Sequence, residues 1–403
     1  MACFICGESE LFTFLDLGAQ PPSDAFIRAQ DLKKPEATYP LALNRCEDCG
    51  LVQLGVVVDP NVLFTEYLYT TGMNNKLREN FKELVERVVR DFKVGEGDLA
   101  VDIGSNDGTL LENYRSFGIK VLGVDPSSVA QIAIEKGVPT ERDFWSKETA
   151  ERILATHGQA KSITATNVFA HVPDLDSFMK GIICLLKKDG VFVSESGYLL
   201  DMIETLGYDA IYHEHLRYYS LRPLLRLFER FGLEIFQVER IASHNGSLRV
   251  YAAQKGVYQR DGSVDALLRV EENAGLDNRE TYTTFAQRVV EHRKILLSTL
   301  KEIKREGGEI VGIGAPAKGN TLLNFCGITS ELVSALLEKS PLKIGVFAPG
   351  SHIPVLSEDL LSMKQPAFAL ILSWNLADEL ISKARANGYA GRFIIPFPQV
   401  HIV

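Results

Sequence analysis

The stretch from Ala100 to Asp125 sets the terms for the whole chain. An apolar run, Leu99 to Ile103, stops at a glycine, the pattern of a strand buried in a parallel sheet. Gly104 to Gly108 then reads as a strand-to-helix turn, and Thr109 opens the helix. Val121 to Val124 forms the next strand, with Asp125 at its carboxyl end. Open α/β sheets bind ligands at the carboxyl ends of their strands, where glycine loops let a ligand approach the backbone. A dinucleotide pyrophosphate needs G-x-G-x-x-G at a helix N-terminus. Here Asn106 replaces a glycine and Asp102 heads the turn. A carboxylate there repels phosphate and suits a ligand with an ammonium group, and Asp125 is placed to grip two ribose hydroxyls.

The D-x-G-x-x-x-G turn, with an acid one strand later, resembles motif I and the acidic motif of class I S-adenosylmethionine (SAM) methyltransferases. The resemblance implies SAM as cofactor, held by Asp102, Gly104, Asn106, Gly108 and Asp125 with Asn167 beside them. Tyr67 and Tyr69, in the hydroxyl-rich loop Phe64 to Met73, are further candidates, Tyr69 first.

At 403 residues the chain is long enough for two or three domains. Its net charge is −9 with no long basic run, which argues against nucleic acid and anionic membrane as partners. No apolar run approaches the ~20 residues that span a bilayer. The start, Met-Ala-Cys-Phe-Ile-Cys, has no signal-peptide pattern, so a cytoplasmic location is expected, with cysteines reduced or metal-bound.

Two knuckles, Cys3-x-x-Cys6 and Cys46-x-x-Cys49, supply four thiolates, the donor set of a tetrahedral structural zinc. Neither pair sits in the βαβ context of a redox dithiol. With every ligand position filled by sulfur, such a zinc is closed to water and is not catalytic.

An amphipathic helix is predicted over Asn74 to Phe92, carrying Leu77, Phe81, Leu84, Val85, Val88 and Val89 on one stripe. After Asp125, strand and helix alternate. Ser146 caps a helix over Lys147 to Thr156, and Asn167 to Pro173, including His171, follows the strand Ile163 to Asn167. Tyr212-His213-Glu214-His215 is a dense cluster of proton-handling groups. On an extended segment His213 and His215 share a face, which leaves a metal site as a second reading. Ser220 caps the helix Leu221 to Phe231, and Asn245-Gly246 turns a hairpin within Glu234 to Ala253. Residues 256–283 read as a polar linker before a long helix, Tyr282 to Arg305. A second α/β unit opens at Ile310 with Gly314-Ala-Pro-Ala-Lys318-Gly-Asn320, a glycine turn, a lysine and a helix start that favour an anion. Leu342 to Phe347, Phe368 to Leu372 and Arg392 to Ile395 read as its further strands.

These segments, in this order, resemble the sugar C-methyltransferases of deoxysugar biosynthesis across essentially the whole chain. The resemblance rests on Cys3/Cys6/Cys46/Cys49, Asp102 to Gly108, Tyr-His-Glu-His at 212–215, His-Asn-Gly-Ser-Leu-Arg at 244–249 and the segment 314–324. It implies an α/β chain of three domains: zinc-binding (1–70), SAM-binding with a doubly wound sheet (71–255) and nucleotide-sugar-binding (256–403). The implied reaction methylates the carbon beside the ketone, C-3', of a 4-keto-6-deoxy sugar. That sugar is carried on a nucleoside diphosphate, dTDP in the first place, with GDP or CDP as alternatives. His215 is the implied base, with Glu214 orienting it, Tyr212 lining the pocket and His171 contacting substrate. Lys318 and Asn320, with Lys343 and His352, are the candidates for holding the substrate. Glu338-Lys-Ser-Pro341 departs from the family pattern, which bears on base or sugar preference. An O- or N-methyltransferase on a similar substrate is the competing reading, and the expected assembly is a monomer or weak homo-oligomer.

Overall fold

The computed structural model describes residues 2–64, 71–73 and 75–403. Tyr67 and Tyr69 lie outside the described residues. Beyond the first knuckle come β1 (Leu11–Gln20), β2 (Ile27–Arg28), β3 (Tyr39–Cys46) and β4 (Val52–Leu54), then the short α1 (Pro60–Phe64). β1, β3 and β4 form an antiparallel sheet in which Leu11 lies opposite Cys46. That register brings the two distant knuckles together, with β1 and β3 carrying the chain out from one and back to the other.

α2 (Asn75–Phe92) buries Leu77, Phe81, Leu84, Val85 and Val88, the expected stripe, with Val89 half-buried at its edge. The central elements follow as β5 (Leu99–Ile103), α3 (Thr109–Arg115), β6 (Lys120–Val124), α4 (Ala130–Glu135), β7 (Thr140–Glu141), α5 (Lys147–His157) and β8 (Ala160–Thr166). Next come α6 (Leu175–Leu185), β9 (Leu186–Gly197), α7 (Leu199–Glu204), β10 (Arg217–Tyr218), α8 (Leu221–Arg230), β11 (Leu233–Ile241) and β12 (Ser247–Gln254). The sheet order is β11-β12-β9-β8-β5-β6-β7, parallel from β9 to β7. From β5 the chain moves outward through β6 and β7, then returns to β8 on β5's other side. This reversal opens a crevice at the carboxyl end of β5, where the glycine turn lies. β5 is buried throughout, as its apolar run requires.

The last part holds α9 (Gly262–Asn273), α10 (Arg279–Arg305), β13 (Ile310–Ile313), α11 (Ala317–Cys326), β14 (Leu336–Glu338), β15 (Val346–Phe347) and β16 (Val355–Ser357). It ends with α12 (Leu360–Lys364), β17 (Phe368–Ile371), α13 (Ala377–Ala386), β18 (Arg392–Ile395) and β19 (His401–Ile402). Its sheet runs β16-β14-β13-β17-β18-β19, parallel except at β19. Among the described residues no helix is long and apolar enough to cross a membrane.

Four local expectations are corrected. The stretch 256–283 contains α9, which buries only Val264, Leu267 and Glu271, too few positions to show a stripe. Leu342 to Phe347 is mostly turn: Leu342 is 58% exposed, and only Val346–Phe347 is strand, paired with β2 across the molecule. Pro341 removes a ladder donor at its start, and the sheet strand is β14 instead. Ser220 makes no side-chain cap of α8; the Glu271 carboxylate accepts the Leu221 amide at 2.7 Å. Finally, residues 212–214 form a turn rather than an extended segment, so His213 and His215 face different surroundings.

Candidate active site and zinc centre

The glycine turn is built for close approach. Gly104 has φ +70°, and a Cβ there would collide with the Val168 side chain. Gly108 has φ +79° and faces Ala133 and Val138. The Asn106 amide donates to Asp125 Oδ2 at 2.8 Å, and Ser127 donates its amide to Asp125 Oδ1 at 2.8 Å. Asp125 is thus held rigidly at the crevice, its acceptor oxygens fixed in place. Asn106 Oδ1 accepts the Thr71 amide and Asp107 Oδ2 the Gly72 amide, both at 2.9 Å, which straps residues 71–73 across the turn. Asp107 was not singled out from sequence; its place inside the glycine turn was the available signal. Asn167 stands at φ +57° beside the same crevice, its amide donating to the Glu195 carbonyl at 2.7 Å.

Asp102 is 2% exposed, and its carboxylate accepts Thr164 Oγ1 at 2.6 Å. Burial pushes its pKa up to about 7, with Asp125 adding to the rise. The acid at the head of the turn therefore sits inside the sheet, where a nearby cation would favour its charged form. Glycines that admit backbone approach, together with two fixed carboxylates, fit the adenosyl and amino-acid parts of SAM.

The second cluster is built from the segment after β8 and the turn before β10. His215 Nδ1 is 2.8 Å from the Ala210 carbonyl, which can only accept, so Nδ1 carries a proton. Its ring meets His171 edge to face at 4.9 Å and Tyr212 at 4.0 Å. Burial holds His171 well below the usual imidazole range, helped by the charges of His215 and Arg217. The group hydrogen-bonded to His215 Nδ1 is the Ala210 carbonyl. Glu214 is buried, and burial followed by the field of Asp24 raises its pKa well above the carboxylate range, against the pull of Lys343. His213 turns toward Tyr39, with Nε2 3.2 Å from that residue's carbonyl. The two histidines do not share a ligand position, and among the described residues the four cysteines are the one cluster able to hold a metal.

Lys318 connects to this cluster through neighbours that the sequence did not single out. Its Nζ is 2.5 Å from Asn375 Oδ1 and 5.0 Å from the Trp374 ring centre. Trp374 donates to Asp209 Oδ2 at 2.7 Å, one residue before the carbonyl that holds His215. Asp209 is fully buried and raised by burial, while Lys318 is lowered by burial. The other anion-site candidates are engaged with the N-terminal part. Asn320 donates to the Ser23 carbonyl at 2.7 Å, Lys343 lies 3.4 Å from Asp24, and His352 Nε2 lies 2.5 Å from Glu36.

At the zinc centre, Cys3 and Cys49 sulfurs lie 3.5 Å apart, as do those of Cys6 and Cys46, and all four fall within 4.8 Å of one another. Zinc–sulfur bonds of about 2.3 Å place tetrahedral sulfurs about 3.8 Å apart, so the set fits the ion. The knuckles are matched turns: Gly7 donates to the Cys3 carbonyl and Gly50 to the Cys46 carbonyl, each at 3.0 Å. Without metal the four thiols share their protons: the hydrogen bond from Cys49 lowers Cys3 and raises Cys49 in turn, while burial raises Cys6.

A closed cysteine centre, a SAM-type crevice and a second α/β unit define a SAM-dependent methyltransferase with a zinc-binding domain. The family descriptions that match are a zinc binding domain at residues 3–64, a methyltransferase domain at 73–238 and a C-methyltransferase C-terminal domain at 242–398. C-methyltransferase NovU of Streptomyces niveus is 32% identical over 406 aligned positions, covering 100% of this chain and 96% of NovU. The chain belongs to this C-methyltransferase family. A ubiquinone biosynthesis O-methyltransferase of Aeromonas salmonicida is 29% identical over 34% of this chain and 63% of its own length. A SAM-dependent methyltransferase structure from Anabaena variabilis aligns with 44% of this chain and 86% of its own, at 15% identity and TM-score 0.37.

Proposed function

We propose that this C-methyltransferase acts on a 4-keto-6-deoxy sugar linked to a nucleoside diphosphate, and that it methylates C-3', the carbon beside the ketone. SAM supplies an electrophilic methyl group on a sulfonium. A sugar C–H becomes acidic only when an adjacent carbonyl can take the charge as an enolate, so the reaction needs a base positioned at that carbon. The observation that carries the reading is the His215 tautomer: its proton is committed to the Ala210 carbonyl, which leaves Nε2 as the basic atom.

His215 removes the proton, and Ala210 steadies the imidazolium that results. His171, held neutral, contacts the substrate, and Tyr212 shapes the pocket wall. Lys318, at the start of α11, anchors the diphosphate and holds the sugar over the crevice, the use of remote binding energy that positions a small reacting centre. The zinc lies outside this chemistry.

The test is incubation of the enzyme with S-adenosylhomocysteine and 4-keto nucleotide sugars in deuterated buffer. One deuterium is expected at the carbon beside the ketone, without methyl transfer, and replacement of that cofactor by SAM adds one methylene mass. Methylation at oxygen or nitrogen with no carbon exchange would overturn the reading.

A further inference from the structure

Arg217 heads the set of large, fully buried side chains, with 1% of its surface exposed. None of its three guanidinium nitrogens has a hydrogen-bond partner among the described residues. A buried cation without a partner costs several kcal/mol, and native chains rarely tolerate one. Its guanidinium carbon lies 4.6 Å from the centre of the Phe4 ring, and Phe4 stands between the zinc ligands Cys3 and Cys6. In β10, Arg217 lies opposite Gln53 of β4, and the Gln53 side chain accepts the Phe4 amide at 3.0 Å. The acidic groups whose field reaches Arg217 are Tyr219 and Cys3. Burial raises the Tyr219 hydroxyl to about 12, and Cys3 belongs to the four-sulfur centre.

We infer that Arg217 is the buried counter-cation of the zinc tetrathiolate and that it couples metal loading to the wall of the active site. Four thiolates around a divalent zinc leave a net charge of −2, a large charge for a buried site, and a second cation near it, Arg226, is half exposed and paired with Asp48. The Arg217 guanidinium, seated against the Phe4 ring whose face also favours a cation, offsets part of that charge. The same segment reaches the catalytic side. The Leu216 amide donates to the Ala170 carbonyl at 3.0 Å and Tyr219 Oη to the Phe169 carbonyl at 3.2 Å, next to His171. His215 lies two residues before Arg217 in the chain. Arg217 is thus a positioning residue: with zinc bound it faces a centre of fixed charge −2, and its strand, paired with β4, passes that centre's state on to the active-site wall.

The test uses the full chain with Arg217→Met, close in volume and uncharged, and Arg217→Lys, which keeps the charge. Zinc release to a coloured chelator is followed, and melting temperature is measured before and after the metal is removed. Arg217→Met should release zinc at least about tenfold faster than wild type, and Arg217→Lys should stay within about threefold. Removing zinc should lower the melting temperature of wild type by more than that of Arg217→Met, because only the wild type loses the pairing of a buried cation with the charged metal centre. A packing role alone would lower both melts equally and leave release unchanged, and that result overturns the proposal. If Arg217→Met yields no folded protein, Arg217→Lys decides. Retention within threefold supports the charge role, and loss beyond tenfold with the charge kept overturns it. A wild-type chain that binds no zinc would overturn the assignment of the four cysteines as well, which separates that failure from failure at Arg217 alone.

Discussion

His215 gives its Nδ1 proton to the backbone carbonyl of Ala210 at 2.8 Å, so a main-chain atom, rather than a neighbouring acid, sets the ring's orientation and tautomer. A carbonyl cannot be titrated, so this orienting hydrogen bond persists at every pH at which the chain is folded. Replacing His215 with Asn should lower kcat by about 10²–10⁴, the usual contribution of a general base, with SAM affinity by calorimetry within about twofold of wild type. Glu214→Gln should cost far less. Normal turnover in His215→Asn would move the base role to His171 or Tyr212.

Asp102 carries a distinct pH signature. Its folded pKa, about 7, lies above the ordinary aspartate value, so between these two values the folded chain keeps a proton that the unfolded chain has lost. The stability this contributes is complete below about pH 4 and is lost as the pH rises through 7. Asp102→Asn, neutral at every pH, should match wild type near pH 4 and exceed it by roughly 3–4 kcal/mol at pH 8 in the ligand-free protein. The same change should weaken SAM binding. Denaturant melts at the two pH values, with calorimetry, check both halves.

Gly104→Ala places a methyl group against Val168 at a backbone angle of φ +70°. Loss of about 1–3 kcal/mol is expected from overpacking, with about 1 kcal/mol more from the left-handed angle. Pairing it with Val168→Ala should recover the packing part and leave the angular part. If the double variant melts no higher than Gly104→Ala, the collision is not the cause.

Glu271 accepts from both the Leu221 amide, at 2.7 Å, and the Tyr198 hydroxyl, at 2.9 Å. Glu271→Ala leaves a buried helix start and a buried hydroxyl without their acceptor, at a cost of about 2–4 kcal/mol. Glu271→Gln retains one acceptor oxygen and should lose less than half of that. Urea midpoints at constant m-value measure the difference.

Much of this architecture was legible because the relevant signals are local. The apolar run before Gly104, the Ser146 cap, which accepts the Thr149 amide at 3.2 Å, and the stripe of α2 are each set within a few residues. The cysteine pairs were legible because four thiols have few other uses. Glu271, Arg217 and Asp209 were not, and for a common reason: each acts on a partner far away in the chain. Glu271 sits in a helix whose exposed face is charged, so one buried acid there looks like any other surface residue. Arg217, in a run of tyrosines, gives no hint of the ring of Phe4. The histidine pair misled through its spacing, which puts two rings on one face only when the backbone is extended, and the turn at 212–214 removes that condition.

The loan of β10 to the amino-terminal sheet carries a consequence for how the chain is made. While residues 217–218 are still inside the ribosome, β4 has emerged with one edge bare, and that edge can pair with any extended chain nearby. The cysteine-rich head therefore cannot be finished as an independent unit before half the protein has been synthesised. A fragment cut after β4 keeps its thiols but lacks its sealing strand, and should associate edge to edge more readily than the full chain.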